Sequence, residues 1–98
     1  MSYYVYMLKS QGIKSITYVG YTKNIKERLL LHNSGKGAKF TRGRTWKLIY
    51  KEAFKSKNKA ISREYYIKKN RTLRNKIKNN NIWKFLFYFR TKKIFHQH

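Results

Sequence analysis

Only three acidic residues, Glu27, Glu52 and Glu64, stand in this chain of 98, which has neither aspartate nor cysteine. That scarcity bounds the chemistry. Thiolate zinc sites, cysteine nucleophiles, disulfides and a disulfide-linked partner are excluded, and carboxylate chemistry has three residues to draw on. Glu27 lies three residues after Asn24, the spacing of a helix capping box. Glu52 follows Lys51 on a β-prone segment and reads as a solvated strand residue. Glu64 sits inside a helical segment, and two readings of it stay open. It could pair with Lys68 one turn on, worth about 0.2–0.5 kcal/mol. It could also be a lone carboxylate ligand for a hard divalent cation, because Mg²⁺ is often held by one or two carboxylates while water and substrate phosphate complete its shell.

Other side chains could work beside such an ion. Arg28 and His32 are one helical turn apart and share a face. A guanidinium clamps a phosphate through two N–H groups, and an imidazole accepts or relays a proton near neutral pH. A surface arginine and a histidine at a helix C-terminus would look the same in sequence. Tyr4 and Tyr6 point to one face of a strand, and Tyr18 on a paired strand could share it. A phenol is a poor base in isolation, but a neighbouring arginine and metal favour its ionised form, which could take a proton from water. The loop from Lys36 to Arg44 interleaves Lys36, Lys39, Arg42 and Arg44 with glycine and fits phosphate contact by side chains and backbone N–H groups.

The elements that must position these groups follow from patterning. Tyr3 to Leu8 and Ser15 to Gly20 are β-prone runs joined by a turn, so they predict a hairpin. Asn24 opens a helix that carries Ile25, Leu29 and His32 and ends near Gly35. Trp46 to Phe54 predicts a third strand, with Trp46, Leu48 and Tyr50 alternating against Lys47 and Lys51. Ser56 or Asn58 caps a second helix from about Lys59 to Asn70, and Thr72 to Lys78 predicts a shorter third. The order β-β-α-β-α-α, without proline or repeat, predicts one α+β unit over residues 1–78, a central three-stranded antiparallel sheet flanked by helices. The basic, aromatic tail 79–98, with its run Ile82 to Phe89, could dock as an added strand or helix or present an exposed aromatic surface.

Composition points to the partner. Lys and Arg number 25, which leaves +22 net charge at neutral pH, so the chain repels itself until something neutralises it. Nucleic acid does so, by exchanging counterions for Lys and Arg. Apolar residues at 41 % are enough for a core, which argues against disorder. The N-terminal run is too short for a signal peptide and the apolar runs too short for a membrane span. The expectation is a soluble, cytoplasmic protein.

Taken in order, these residues form a pattern. Tyr4-Val5-Tyr6 followed by Tyr18-Val19-Gly20 resembles the paired motif of the GIY-YIG nuclease superfamily, with Tyr4 in place of the first motif's glycine. Tyr21-Thr22, Asn24, Arg28, His32-Asn33, Gly35, Lys39-Phe40-Thr41-Arg42, Trp46, Phe54, Ala60 and Arg63-Glu64 resemble its small single-domain members, over about residues 3 to 78. The resemblance implies a metal-dependent DNA endonuclease using one Mg²⁺ or Mn²⁺, acting in repair, recombination or the degradation of foreign DNA. It implies Tyr6 as general base or relay, Tyr18 at the nucleophile or phosphate, Arg28 as phosphate stabiliser, His32 as proton relay and Glu64 as metal ligand. Gly20 matches the glycine that permits close backbone approach, which the resemblance implies as a nucleic-acid-binding position beside Lys36, Lys39, Arg42 and Arg44. Many members carry an asparagine about a dozen residues after the glutamate; here that count reaches Lys76, with Asn75 beside it. A basic DNA- or RNA-binding protein without catalysis on the same fold is the alternative, and anchoring to a membrane surface through the tail a remoter one.

Overall fold

The computed structural model describes residues 2–79. The expectations for the tail therefore lie outside the described residues. Strand β1 (Tyr3–Ser10) is paired on both edges, with β2 (Thr17–Thr22) and β3 (Trp46–Phe54), both antiparallel, in the order β2-β1-β3. Helices α1 (Ile25–Asn33), α2 (Lys57–Lys69) and α3 (Arg71–Asn79) complete the α+β arrangement expected from the sequence. A central strand covered on both faces needs no polar side, which is why the N-terminal run reads as continuous rather than alternating. β2 extends past Gly20 because its pairing continues to Thr22 opposite Tyr4. α2 starts early because Ser56, not Asn58, is its cap, accepting from the Lys59 N–H.

Alternation along β1 divides the interior in two. Val5 and Met7 pack with Val19, Tyr50, Ala60, Ile67 and Ile77 on the side of α2 and α3. Tyr6 and Leu8 face the other way and pack with Trp46, with Ile25 and Leu29 of α1 against them. Each large apolar side chain buried this way contributes about 1.5–3 kcal/mol, and the two-sided sheet lets a short, strongly cationic chain collect many of them.

β3 departs from the simple alternation expected of it. Leu8 pairs with Leu48 and Met7 with Tyr50, so Ile49 has no partner in the ladder and forms a bulge. One extra residue reverses the faces beyond it. Trp46 and Leu48 lie with Tyr6 and Leu8, whereas Tyr50 lies with Val5 and Met7. Glu52, paired with Val5, is carried to that same side. It is not solvated: its Oε1 accepts from the Tyr50 hydroxyl at 2.6 Å and from Arg63 Nε at 3.0 Å.

Both ends of α1 are fixed by side chains. Asn24 Oδ1 accepts from the Glu27 N–H at 3.1 Å, and the Asn24 N–H is taken by Thr22 Oγ1 at 3.2 Å, where a full capping box would use Glu27. Past the other end, Gly35 adopts φ 79°, a conformation that favours glycine. Asn33 then ties the helix to β3: its side-chain amide donates to the Trp46 carbonyl at 3.2 Å and accepts from the Trp46 N–H at 2.6 Å.

Candidate active site

β1 delivers Tyr6 to the sheet face beneath α1, and the phenol lies over Gly20, its partner on β2. A Cβ at Gly20 would stand 2.6 Å from the Tyr6 oxygen and 2.8 Å from Cζ. What this glycine accommodates within the protein is the Tyr6 ring. The next turn of α1 brings His32 to the same point, with Nε2 2.9 Å from the phenol oxygen. Arg28, one turn earlier, is near enough for its guanidinium to favour loss of the Tyr6 proton. Tyr18 is the neighbouring ring, with its centroid 6.3 Å from Tyr6 and 4.8 Å from His32.

Burial governs the proton affinities here. Tyr6 is 2 % exposed and His32 not at all, so bulk water does not compete for their hydrogen bond. Desolvation pushes the Tyr6 phenol up to about 12; the charges of Tyr18 and Glu64 add to the rise, and Arg28 opposes it. The sequence suggested that arginine would favour the ionised phenol. In the folded protein desolvation outweighs that help, and Tyr6 is a protonated donor at neutral pH. His32 is held below its ordinary 6.5, first by burial and then by the Arg28 charge, so it is a neutral imidazole at pH 7. A protonated phenol and a neutral imidazole share the 2.9 Å hydrogen bond, its direction set by the His32 tautomer.

Glu64, on α2, is close enough for its charge to be felt at Tyr6. Its pair with Lys68 is made, but Nζ lies 3.7 Å from Oε2 and the lysine side chain is half exposed. A partly buried hard oxygen held by one loose lysine suits a hard divalent cation that takes most ligands from water and substrate. Among the described residues no three His, Cys, Asp or Glu side chains cluster as a metal cage. Lys36, Lys39, Arg42 and Arg44 are all exposed on the loop after α1. Phe40, 58 % exposed, stacks on Tyr18 with ring centroids 6.1 Å apart and marks the rim of the site. Asn75 is exposed on α3.

Sequence reasoning assigned no role to two residues that hold His32. Thr41, fully buried in a short 3₁₀ turn (Lys39–Thr41), has its hydroxyl oxygen 2.9 Å from His32 Nδ1 and donates to the Ala38 carbonyl at 2.8 Å. Gly37 lies against the same ring edge, where a Cβ would stand 2.4 Å from Nδ1. A threonine and a glycine in a polar loop carry no periodic signal, and only the loop's return onto α1 shows what they touch.

The sequence matches the family model described as the GIY-YIG catalytic domain over residues 2–79. It is 52 % identical over 67 residues to the UPF0213 protein CPE1444 of Clostridium perfringens, which covers 67 % of this chain and 70 % of that protein. It is 49 % identical over 69 residues to a UPF0213 protein of Bacillus licheniformis, covering 69 % of each. Among solved structures it is similar to the solution NMR structure of the UPF0213 protein BH0048 from Bacillus halodurans, with a TM-score of 0.49 and 39 % identity over 79 % of this chain and 82 % of that one.

Proposed function

The chain belongs to the GIY-YIG catalytic-domain family, and on that premise we propose that it is a metal-dependent DNA endonuclease that hydrolyses phosphodiester bonds. The observation that carries this reading is the Tyr6 oxygen, bonded to His32 Nε2 at 2.9 Å and within reach of the Arg28 and Glu64 charges. The oxygen of a water bonds to phosphorus and its proton passes to the Tyr6 oxygen. The Tyr6 proton passes to His32 Nε2, and the bond from phosphorus to one ester oxygen breaks. The departing oxygen takes a proton from solvent, and His32 later releases the one it gained. Arg28 has several N–H groups, so it can offset charge on the phosphoryl oxygens. Tyr18 walls the site beside Tyr6 and orients the phosphate. Glu64 would hold the divalent cation, Mg²⁺ or Mn²⁺, whose contribution is Lewis-acid stabilisation of the phosphate and of the departing oxygen. Lys36, Lys39, Arg42 and Arg44 supply affinity for the backbone of the nucleic acid without selecting a sequence. On this reading the protein works in the cytosol, where DNA is found.

A time course tests it. Duplex, single-stranded and branched DNA meet the protein in Mg²⁺, Mn²⁺ or EDTA, with Glu64→Ala and Tyr6→Phe run alongside. The expected result is metal-dependent scission that falls about 10²–10³-fold or more in each variant, the usual cost of removing one electrostatic group from such a site, while binding persists. Scission at the parent rate by Glu64→Ala would reject the metal assignment. Binding with no product under any condition would leave a non-hydrolytic nucleic-acid binder on a nuclease fold.

A further inference from the structure

The ring of His32 has two nitrogens, and only one tautomer can serve the relay. Nε2 must carry a lone pair to take the Tyr6 proton, so Nδ1 must carry the hydrogen. A free neutral imidazole side chain prefers the opposite arrangement, with hydrogen on Nε2, so something in the fold has to reverse that preference.

The contacts of Thr41 do this. Its hydroxyl oxygen lies 2.8 Å from the Ala38 carbonyl and 2.9 Å from His32 Nδ1. The carbonyl can only accept, so the one hydroxyl hydrogen belongs to it. Turning that hydrogen to Nδ1 would leave two acceptor oxygens facing each other at 2.8 Å in a fully buried position. The hydroxyl oxygen is thus an acceptor toward His32, and Nδ1 must donate. The other end of the chain follows: with the hydrogen on Nδ1, a neutral Nε2 can only accept, so the Tyr6 hydroxyl donates to it across 2.9 Å.

Thr41 is itself held on three sides. Its N–H donates to Ala38 O at 3.1 Å, and its carbonyl accepts from Trp46 Nε1 at 2.8 Å. Trp46 is in turn fastened to the end of α1 by Asn33. Gly37 completes the cradle, because any side chain there would occupy the space of the Nδ1 edge.

We propose that Thr41 is a positioning residue that fixes His32 as the Nδ1–H tautomer, through a one-way chain of hydrogen bonds from Tyr6 to His32 to Thr41 to the Ala38 carbonyl, with Gly37 leaving room for it. The catalytic part of this proposal rests on the endonuclease reading above; the tautomer itself does not. The loop that carries phosphate-contacting cations on its outer side therefore sets the direction of proton flow on its inner side.

The test is long-range ¹H–¹⁵N NMR on the full chain labelled at histidine nitrogen, with His32 assigned by the signals lost in His32→Asn, run beside the cleavage assay. The parent is expected to show Nδ1–H. Thr41→Val keeps the shape and loses the acceptor, and is expected to convert His32 to Nε2–H and to slow turnover at saturating DNA by about 10²-fold, the low end of what a general base supplies, with DNA affinity unchanged. Thr41→Ser keeps the hydroxyl and is expected to keep both the tautomer and most of the rate. An Nε2–H signal in the parent overturns the proposal, as does Thr41→Val with the parent's tautomer or rate. If Thr41→Val does not fold, the parent's tautomer and the Thr41→Ser result still decide. A locked Nδ1–H tautomer in a protein that cuts no DNA would sustain the lock and reject the endonuclease reading.

Discussion

Replacing Gly20 by alanine should separate catalysis from both folding and DNA binding. The added methyl carbon stands 2.6 Å from the Tyr6 oxygen, and ordinary contact begins at 3.4 Å, so the oxygen must retreat by about 0.8 Å (3.4 − 2.6). A displacement of that size is enough to spoil the 2.9 Å bond to His32, by compressing, stretching or misaligning it. Two costs follow. Overpacking a well-filled interior destabilises by about 1–3 kcal/mol, which urea unfolding reads as a lower midpoint with unchanged slope. Misplacing a reacting group by 1 Å costs about 10²-fold in rate, which the cleavage assay reads. DNA affinity, measured by fluorescence anisotropy without metal, should not move, because the exposed cations of the loop are untouched. A folded Gly20→Ala protein that cuts within a few-fold of the parent would refute the reasoning. A loss of affinity that accounted for the whole loss of rate would place Gly20 in the nucleic-acid interface rather than beneath Tyr6.

Three further outcomes are expected. Burial and Arg28 hold His32 below 6.5, so below that pH the unfolded chain binds a proton there more readily than the folded one; this stabilisation is full above pH 6.5 and is lost as pH falls through the folded value. The acid limb of the rate profile should have its midpoint below 6.5, and a midpoint at or above it contradicts the assignment. Alanine at Lys36, Lys39, Arg42 or Arg44 should each reduce the slope of log affinity against log salt by about 0.9 on duplex DNA, and an unchanged slope removes that residue from the interface. Glu52→Ala strips the acceptor from the Tyr50 hydroxyl and from Arg63 Nε; it should cost about 1–3 kcal/mol in urea unfolding and leave cleavage by the folded protein intact.

What the sequence revealed, and what it hid, divides along the range of the interactions. The hairpin, the Asn24 cap and the turn of helix between Arg28 and His32 are local, and their residues declared them. That Arg28 and His32 approach the Tyr6 oxygen follows from spacings within β1 and α1 once the sheet is given. The bulge at Ile49 gives no sign in sequence because it leaves apolar residues in place and changes only the face they take; Tyr50 therefore departs from the alternation with Trp46 and Leu48. Glu52 looked solvated because its partner Arg63 is on a different element, 11 residues away. Thr41 was quoted within a motif yet assigned nothing. Its role depends on the loop folding back over α1, and a single hydroxyl in a basic loop gives no sign of that.

The energetics of the relay restrict what kind of base Tyr6 can be. Burial raises its phenol to about 12 and holds His32 below 6.5, so both groups resist charge and a phenolate–imidazolium pair is disfavoured at rest. On the proposed mechanism the Tyr6 oxygen avoids that charge by gaining a proton from the attacking water as it gives up its own, with Tyr6 as a conduit and His32 as the acceptor. Arg28 acts on this transfer in two opposing senses. Its charge favours proton loss from Tyr6 and disfavours proton gain by His32, so on the proposed mechanism its value is sought at the charge that develops on the phosphoryl oxygens.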